Sequence, residues 1–189
     1  MDDRLLKILT ERIPVTLPPD LTCRQAAVLL PLFKDADGYH LLFTKRTDTV
    51  RHHKGQISFP GGSFDRRDGN LLQTALRESY EEVGIRPEDV RVLGRLDDSP
   101  TVSTNFMISP FVGLIPYPYT FRPDPREVAA VFASSLARLA DPVVFRSYVR
   151  TQEDDTRIED YEYHVNGQVI WGATARIIHH FLQLIGGAL

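Results

Sequence analysis

The chain has 189 residues, enough for one sizeable hydrophobic core and short for two, so a single domain over residues 1–189 is expected. Hydrophobic residues make up 42% and charged residues 25%, with a formal net charge of −3, which argues against a nucleic-acid backbone as the main partner because that role needs a strongly basic face. A single cysteine, Cys23, excludes an internal disulfide and any multi-cysteine metal site, and fits a reducing, cytoplasmic setting.

Residues 1–20 read as a short amphipathic helix and a proline-bounded linker, with no apolar core of signal-peptide type. No window approaches the roughly 18 apolar residues of a membrane span, and the C-terminal Gly187-Ala188-Leu189 does not match the peroxisomal Ser-Lys-Leu address. A soluble protein without a membrane partner is expected. Residues 26–33 form an apolar run suited to a buried strand, 35–38 supply turn residues, and 39–46 resume as a second strand of a hairpin. Residues 47–54 are polar and basic, and 57–59 make a short strand stopped by Pro60-Gly61-Gly62.

A charged loop at 65–68 precedes Asn70, the N-cap of a helix running to about Val83, with Gly84 as its C-terminal cap. Residues 90–96 and 107–115 read as strands separated by a loop at 97–105. The prolines at 116, 118, 123 and 125 mark a surface loop. Residues 128–133 read as a strand and 134–139 as a helical turn. Residues 143–149, 161–164 and 169–171 follow as strands, the last pair joined by the turn at Asn166-Gly167, and a helix over about 172–184 ends the chain. Strands with one central acidic helix and one terminal helix give an α/β sandwich with a mixed sheet.

The central helix carries the chemistry. Glu78, Glu81 and Glu82 occupy neighbouring positions at spacings of three and four, while Leu72, Ala75, Leu76, Ser79 and Val83 form an apolar stripe. Like charges this close need water or a cation between them, and a divalent metal is the sharp expectation. On its own, an acidic triplet on a helix is more often a solvated face.

The surrounding residues change that balance. Five residues separate Gly62 from Asp68, and eight separate Asp68 from Arg77-Glu78-Ser79-Tyr80-Glu81-Glu82-Val83-Gly84-Ile85. This block, 62–85, resembles the Nudix hydrolase signature, departing from it at Ser79, which replaces a hydrophobic residue, and at Asp68, which replaces a glutamate and stands eight rather than seven residues from the arginine. No role is assigned to Asp68. The upstream run of residues 42–47, Arg51, Gly55 and residues 59–62 resembles the extra motif of the coenzyme A pyrophosphatase branch, whose box also tends to carry an Asp and one additional residue. Residues 170–175, Ile-Trp-Gly-Ala-Thr-Ala, are similar to the segment that closes that branch.

The resemblance implies a Nudix-type α/β/α sandwich with a mixed sheet, a central catalytic helix and a C-terminal helix. It implies hydrolysis of the diphosphate of coenzyme A, its thioesters or its oxidised form, using Mg²⁺ or Mn²⁺ held by Glu78, Glu82 and Glu81, with Arg77 orienting a glutamate. Hard oxygen ligands and retained waters suit such an ion. Gly61 and Gly62 would let the backbone pass close to metal and phosphates, and Arg46, Arg51 and Lys54 flank that approach as anion ligands. Glu127 reads first as an exposed loop acid and second as an additional base or ligand.

Two competing functions stay open: a Nudix pyrophosphatase for another nucleoside diphosphate derivative, a nucleotide sugar or a nucleoside triphosphate, and a non-catalytic ligand-sensing module. The intact glutamates oppose the module, and Arg51 with Gly55 opposes the other substrates. His52 and His53 read equally as loop residues or substrate contacts, and His179-His180 as packed rather than ligating, because adjacent helical residues do not face one site. Trp171, Phe106 and Phe111 are core candidates before they are adenine-stacking ones, and Cys23 is a small buried hydrophobe. Both a monomer and a homodimer are compatible with the sequence.

Overall fold

A computed structural model describes residues 3–17, 23–48, 55–101, 104–151, 155 and 157–186. The N-terminal helix α1 spans Asp3–Glu11. Strands β1 (Arg24–Asp35) and β2 (Gly38–Arg46) form the expected hairpin, with Leu32 opposite Leu41 and Asp35 opposite Gly38. Beyond Leu32 towards its N-terminal end, β1 leaves β2, and the short strands β3 (Ile57–Ser58) and β4 (Gly61–Ser63) occupy the divergence. β3 pairs with Thr44 and Lys45 of β2, and β4 pairs with residues 26–28 of β1. Pro60-Gly61-Gly62 therefore does not simply stop a strand. The carbonyl of Pro60 accepts from Leu29 N at 2.9 Å, and the two glycines enter the sheet.

A 3-10 turn at Arg66–Asp68 leads to helix α2, Leu71–Val83. Then follow β5 (Arg91–Arg95), β6 (Ser99–Pro100) and β7 (Phe106–Leu114); β7 runs parallel to β1, with Ala27 opposite Ser109 and Leu32 opposite Leu114. β6 is a short strand where the sequence suggested only loop; its two residues pair with Ile108 and Met107. β8 (Val128–Ser135) lies antiparallel to β2, completing an eight-stranded mixed sheet.

The buried residues of β1 alternate between two cores, as a central strand requires. Ala27, Leu29 and Phe33 join Ala75 and Val83 of α2 on one face, with Leu42, Phe111 and Val128. Leu30 and Leu32 join Leu5 and Leu9 of α1 on the other, together with Ile177, Ile178, Phe181 and Ile185 of the terminal helix. After the short helix α3 (Leu136–Leu139), a separate three-stranded antiparallel sheet follows: β9 (Phe145–Thr151), β10 (Arg157–Val165) and β11 (Gln168–Trp171). The last helix, α4 (Gly172–Ile185), packs against it and against α1. Among the described residues, no helix is long and apolar enough to cross a membrane.

Candidate active site

Helix α2 begins and ends as the sequence dictates. The Asn70 side chain accepts from Gln73 N at the N-cap, and Gly84 closes the helix in the left-handed region at φ 75°. Its buried stripe is Thr74, Ala75, Leu76, Ser79 and Val83. Ser79 fits there because its hydroxyl donates to the Ala75 carbonyl, 2.6 Å away in the preceding turn, so no polar group is stranded.

The three glutamates separate. Glu82 follows the buried stripe inward and is only 5% exposed; Glu78 is half-buried; the Glu81 side chain is 56% exposed. The inner pair meets β4. Gly61 N donates to Glu82 Oε2 at 3.3 Å, and a Cβ on Gly62 would fall 2.5 Å from Glu78 Cδ and 2.6 Å from its Oε1. A Cβ on Gly61 would fall 2.3 Å from the Ala27 carbonyl oxygen. Both glycines are thus required by close approach, one to a carboxylate and the other to the neighbouring strand.

Burial drives the electrostatics. It pushes the Glu82 carboxyl up to about 8; Arg46 and the Gly61 N–H offset only part of that, while Glu78 and Glu127 add negative field. Glu78 is likewise raised by burial, with Arg77 opposing. Arg46 lies 3.7 Å from Glu82 and 4.0 Å from Glu127, which brings the loop acid Glu127 to the same group. Glu81 instead pairs outward with Arg77 Nη1 at 2.9 Å. Glu82 and Glu127 thus flank Arg46, Glu78 lies between Arg77 and Gly62, and Glu81 lies on the outer flank.

Asp68 turns out to be central to that flank. It accepts from Arg77 Nε at 2.7 Å and Nη2 at 3.1 Å, from Thr74 Oγ1 at 2.8 Å and from Asp65 N at 3.2 Å. The Arg77 fork holds its carboxyl down to about 2. Arg77 Nη1 also lies 2.9 Å from Glu78 Oε1, so Asp68 fixes the arginine that fixes the glutamate. Asp68 closes the 3-10 turn that precedes α2, and the capping box of that turn ties Asp65 to Asp68.

A cavity of about 330 Å³ opens beside Gly61, Gly62 and Arg46. Phe106 and Trp171 line it; Trp171 is 47% exposed, against the expectation of a core residue, whereas Phe111 is in the core. His179 stacks between Phe145 and Tyr161, at 5.2 and 4.1 Å, while His180 faces Asp97 at 3.3 Å, so the histidine pair does not converge. Cys23 is only partly buried, its Sγ 3.1 Å from Asn105 Oδ1. Arg51, His52, His53 and Lys54 lie outside the described residues.

A divalent cation fits this donor set. Glu82 is a carboxylate stripped of water whose nearest cation, Arg46, stands beyond hydrogen-bond distance, and Glu78 lies with it along β4. Among the described residues, no group of three or more His, Cys, Asp or Glu side chains is placed to hold a metal ion together. Mg²⁺ does not require one, because it commonly keeps waters and takes one or two carboxylates together with substrate phosphates.

Residues 24–148 match the NUDIX domain. The chain belongs to the Nudix family. It is 40% identical over 169 residues to an uncharacterized Nudix hydrolase NudL of Pectobacterium atrosepticum, covering 89% of this chain and 86% of that protein. It is 38% identical over 187 residues to one of Cronobacter sakazakii, covering 97% and 94%. Among solved structures, a MutT/nudix family protein from Enterococcus faecalis has the same fold at a TM-score of 0.59 and 14% identity, covering 90% of this chain and 65% of that one. A NUDIX hydrolase from Alicyclobacillus acidocaldarius superposes at a TM-score of 0.54 and 21% identity, covering 62% and 82%.

Proposed function

We propose that this Nudix protein hydrolyses the diphosphate of coenzyme A, its thioesters or its oxidised form, yielding 3′,5′-ADP and 4′-phosphopantetheine or its derivative, with Mg²⁺ or Mn²⁺. The observation that carries the reaction class is the placement of Glu78 and Glu82 against the bare backbone of Gly61 and Gly62 at the mouth of the cavity. The substrate rests on the upstream motif that includes Arg46 and Arg51. When bound, the cation neutralises diphosphate oxygens and activates water.

The chain's own residues then divide the work. Glu78 and Glu82 hold the cation; the glycine backbone leaves room for the phosphates; Asp68 and Arg77 keep Glu78 in place. Glu127, half exposed and facing the same group, is the proposed proton acceptor. Arg46, beside Glu82 and Glu127 and lining the cavity, would offer its charge to the diphosphate.

The decisive experiment incubates the purified protein with coenzyme A, a nucleotide sugar and a nucleoside triphosphate, each with Mg²⁺, with Mn²⁺ and with chelator. Phosphopantetheine should appear only with coenzyme A and metal. Turnover confined to another substrate overturns the specificity, and turnover undiminished by chelator overturns the cation.

A further inference from the structure

The cavity beside Gly61 and Gly62 has a second wall that the carboxylate chemistry leaves unused. It is formed by β9, β10, β11 and the start of α4, and carries Tyr148, Arg150, Asp160, Trp171 and Arg176. Apart from Tyr148, these residues lie beyond the segment 24–148 that matches the family.

Asp160 is buried, 4% exposed, and organises this wall. Its Oδ1 accepts from Arg176 Nη1 at 3.0 Å, and Arg176 Nη2 donates to the Pro100 carbonyl at 3.0 Å. Arg176 is thereby occupied at both tips and acts as framework. Arg150 is held more loosely. Its Nη2 stands 3.5 Å from Asp160 Oδ2, and its Nε is shielded from water with no acceptor among the described residues. Among the described residues, two guanidiniums share the Asp160 carboxylate, and Arg150 is the more loosely held of the two. A shielded donor and a loosely held arginine are the chemistry of an anion site waiting for its acceptor.

Gly61, Gly62 and Arg46 line the same cavity as Arg150, and Phe106, Ile108 and Trp171 add flat and apolar lining. A ligand with its diphosphate at Gly61 and Gly62 that carries a second anion, one that is not cleaved, meets Arg150 in the same cavity.

We propose that Arg150 is a specificity-determining residue that binds a monophosphate carried on the nucleoside arm of the substrate, away from the scissile diphosphate. The inference rests on the diphosphate-hydrolase reading above and assigns to coenzyme A's 3′-phosphate a partner outside the upstream motif. The pantetheine arm carries no anion, so the geometry also fixes direction: the nucleoside points towards β9 and β10.

The test uses the full chain as wild type, R150M, R150K and R51A. Calorimetry measures binding of 3′,5′-ADP and of 5′-AMP, which differ by the monophosphate alone, and kinetics compare coenzyme A with dephospho-coenzyme A. Wild type should favour 3′,5′-ADP by about tenfold. R150M should erase that preference while leaving 5′-AMP binding within about twofold, and should raise KM for coenzyme A by the same factor with kcat unchanged. R150K should retain about a third of the preference, since a lysine keeps the charge without the fork. No preference in the wild type, equal loss for both nucleotides in R150M, an unaltered preference in R150M or R150K, or its disappearance in R51A alone would each overturn the assignment. Binding that follows Arg150 in a protein unable to cleave coenzyme A would retain the subsite and reject the reaction; cleavage indifferent to Arg150 would do the reverse.

Discussion

Gly61 and Gly62, backed by helix α2, and residues 148–176 both line one cavity, but the two regions achieve their charge by different means. The first wall is built from two neighbouring segments: a helix whose periodicity turns carboxylates inward, and a glycine strand that makes room for them. Its acids are crowded, and burial raises the carboxyls of both Glu78 and Glu82. The second wall gathers Arg150, Asp160, Trp171 and Arg176 from three strands and a helix, and its two guanidiniums share one carboxylate. Crowded like charges create demand for a cation, whereas a loosely held arginine creates demand for an anion. One diphosphate ester with a remote phosphate meets both demands.

The comparison predicts that changes to the first wall reach kcat and changes to the second reach KM. Glu82→Gln should lower kcat by at least about a thousandfold, while raising the thermal midpoint of the metal-free protein at neutral pH, because it removes a carboxyl that burial pushes up to about 8 and that ionises freely only in the unfolded chain. Steady-state kinetics with calorimetric melting check both signs; near-normal turnover would break the carboxylate assignment. Gly62→Ala should cost about a hundredfold in kcat, because its Cβ displaces the Glu78 carboxylate, with the circular dichroism spectrum unchanged.

Asp68→Asn should cost about tenfold in kcat by loosening Arg77. Its stability effect has a definite sign with pH. The folded carboxyl, near 2, lies below its ordinary 3.8, so the stabilisation is present above pH 3.8 and is lost as the pH falls through about 2. Melting curves of wild type and D68N should therefore differ at pH 6 and converge towards pH 2. The smallest effect belongs to Trp171→Ala, about fivefold in KM for coenzyme A with kcat retained, since the loss is of stacking area alone. A matching fall in kcat would erase the distinction between the two walls.

Legibility followed sequence separation. Helix α2, its Asn70 and Gly84 caps and the β1–β2 hairpin are local, and their residues could be read directly. The descent of Glu82 into the interior was missed because the acidic spacing was assigned to one face, although Glu82 lies three residues from buried Ser79. Asp68 had the signal of standing at a signature position, but its connection to Arg77 depends on the 3-10 turn that reshapes the loop. Glu127 reaches the site only because β8 lies beside β2 and Arg46 spans to both acids. The Asp160–Arg176 frame had no local signature at all: a buried aspartate in a strand resembles any alternating polar residue until α4 folds back onto β10.

The short strands β3 and β4, lodged where β1 and β2 part, have a consequence for motion. Gly61 and Gly62 are stitched to β1, and β3 to β2, so the floor beneath the diphosphate opens only when the central sheet does. The slow amide-exchange core of the protein should then include Val28, Leu29 and Gly61. Ligand capture would proceed against a floor that does not breathe, and any adaptation to different ligands would fall to the loops.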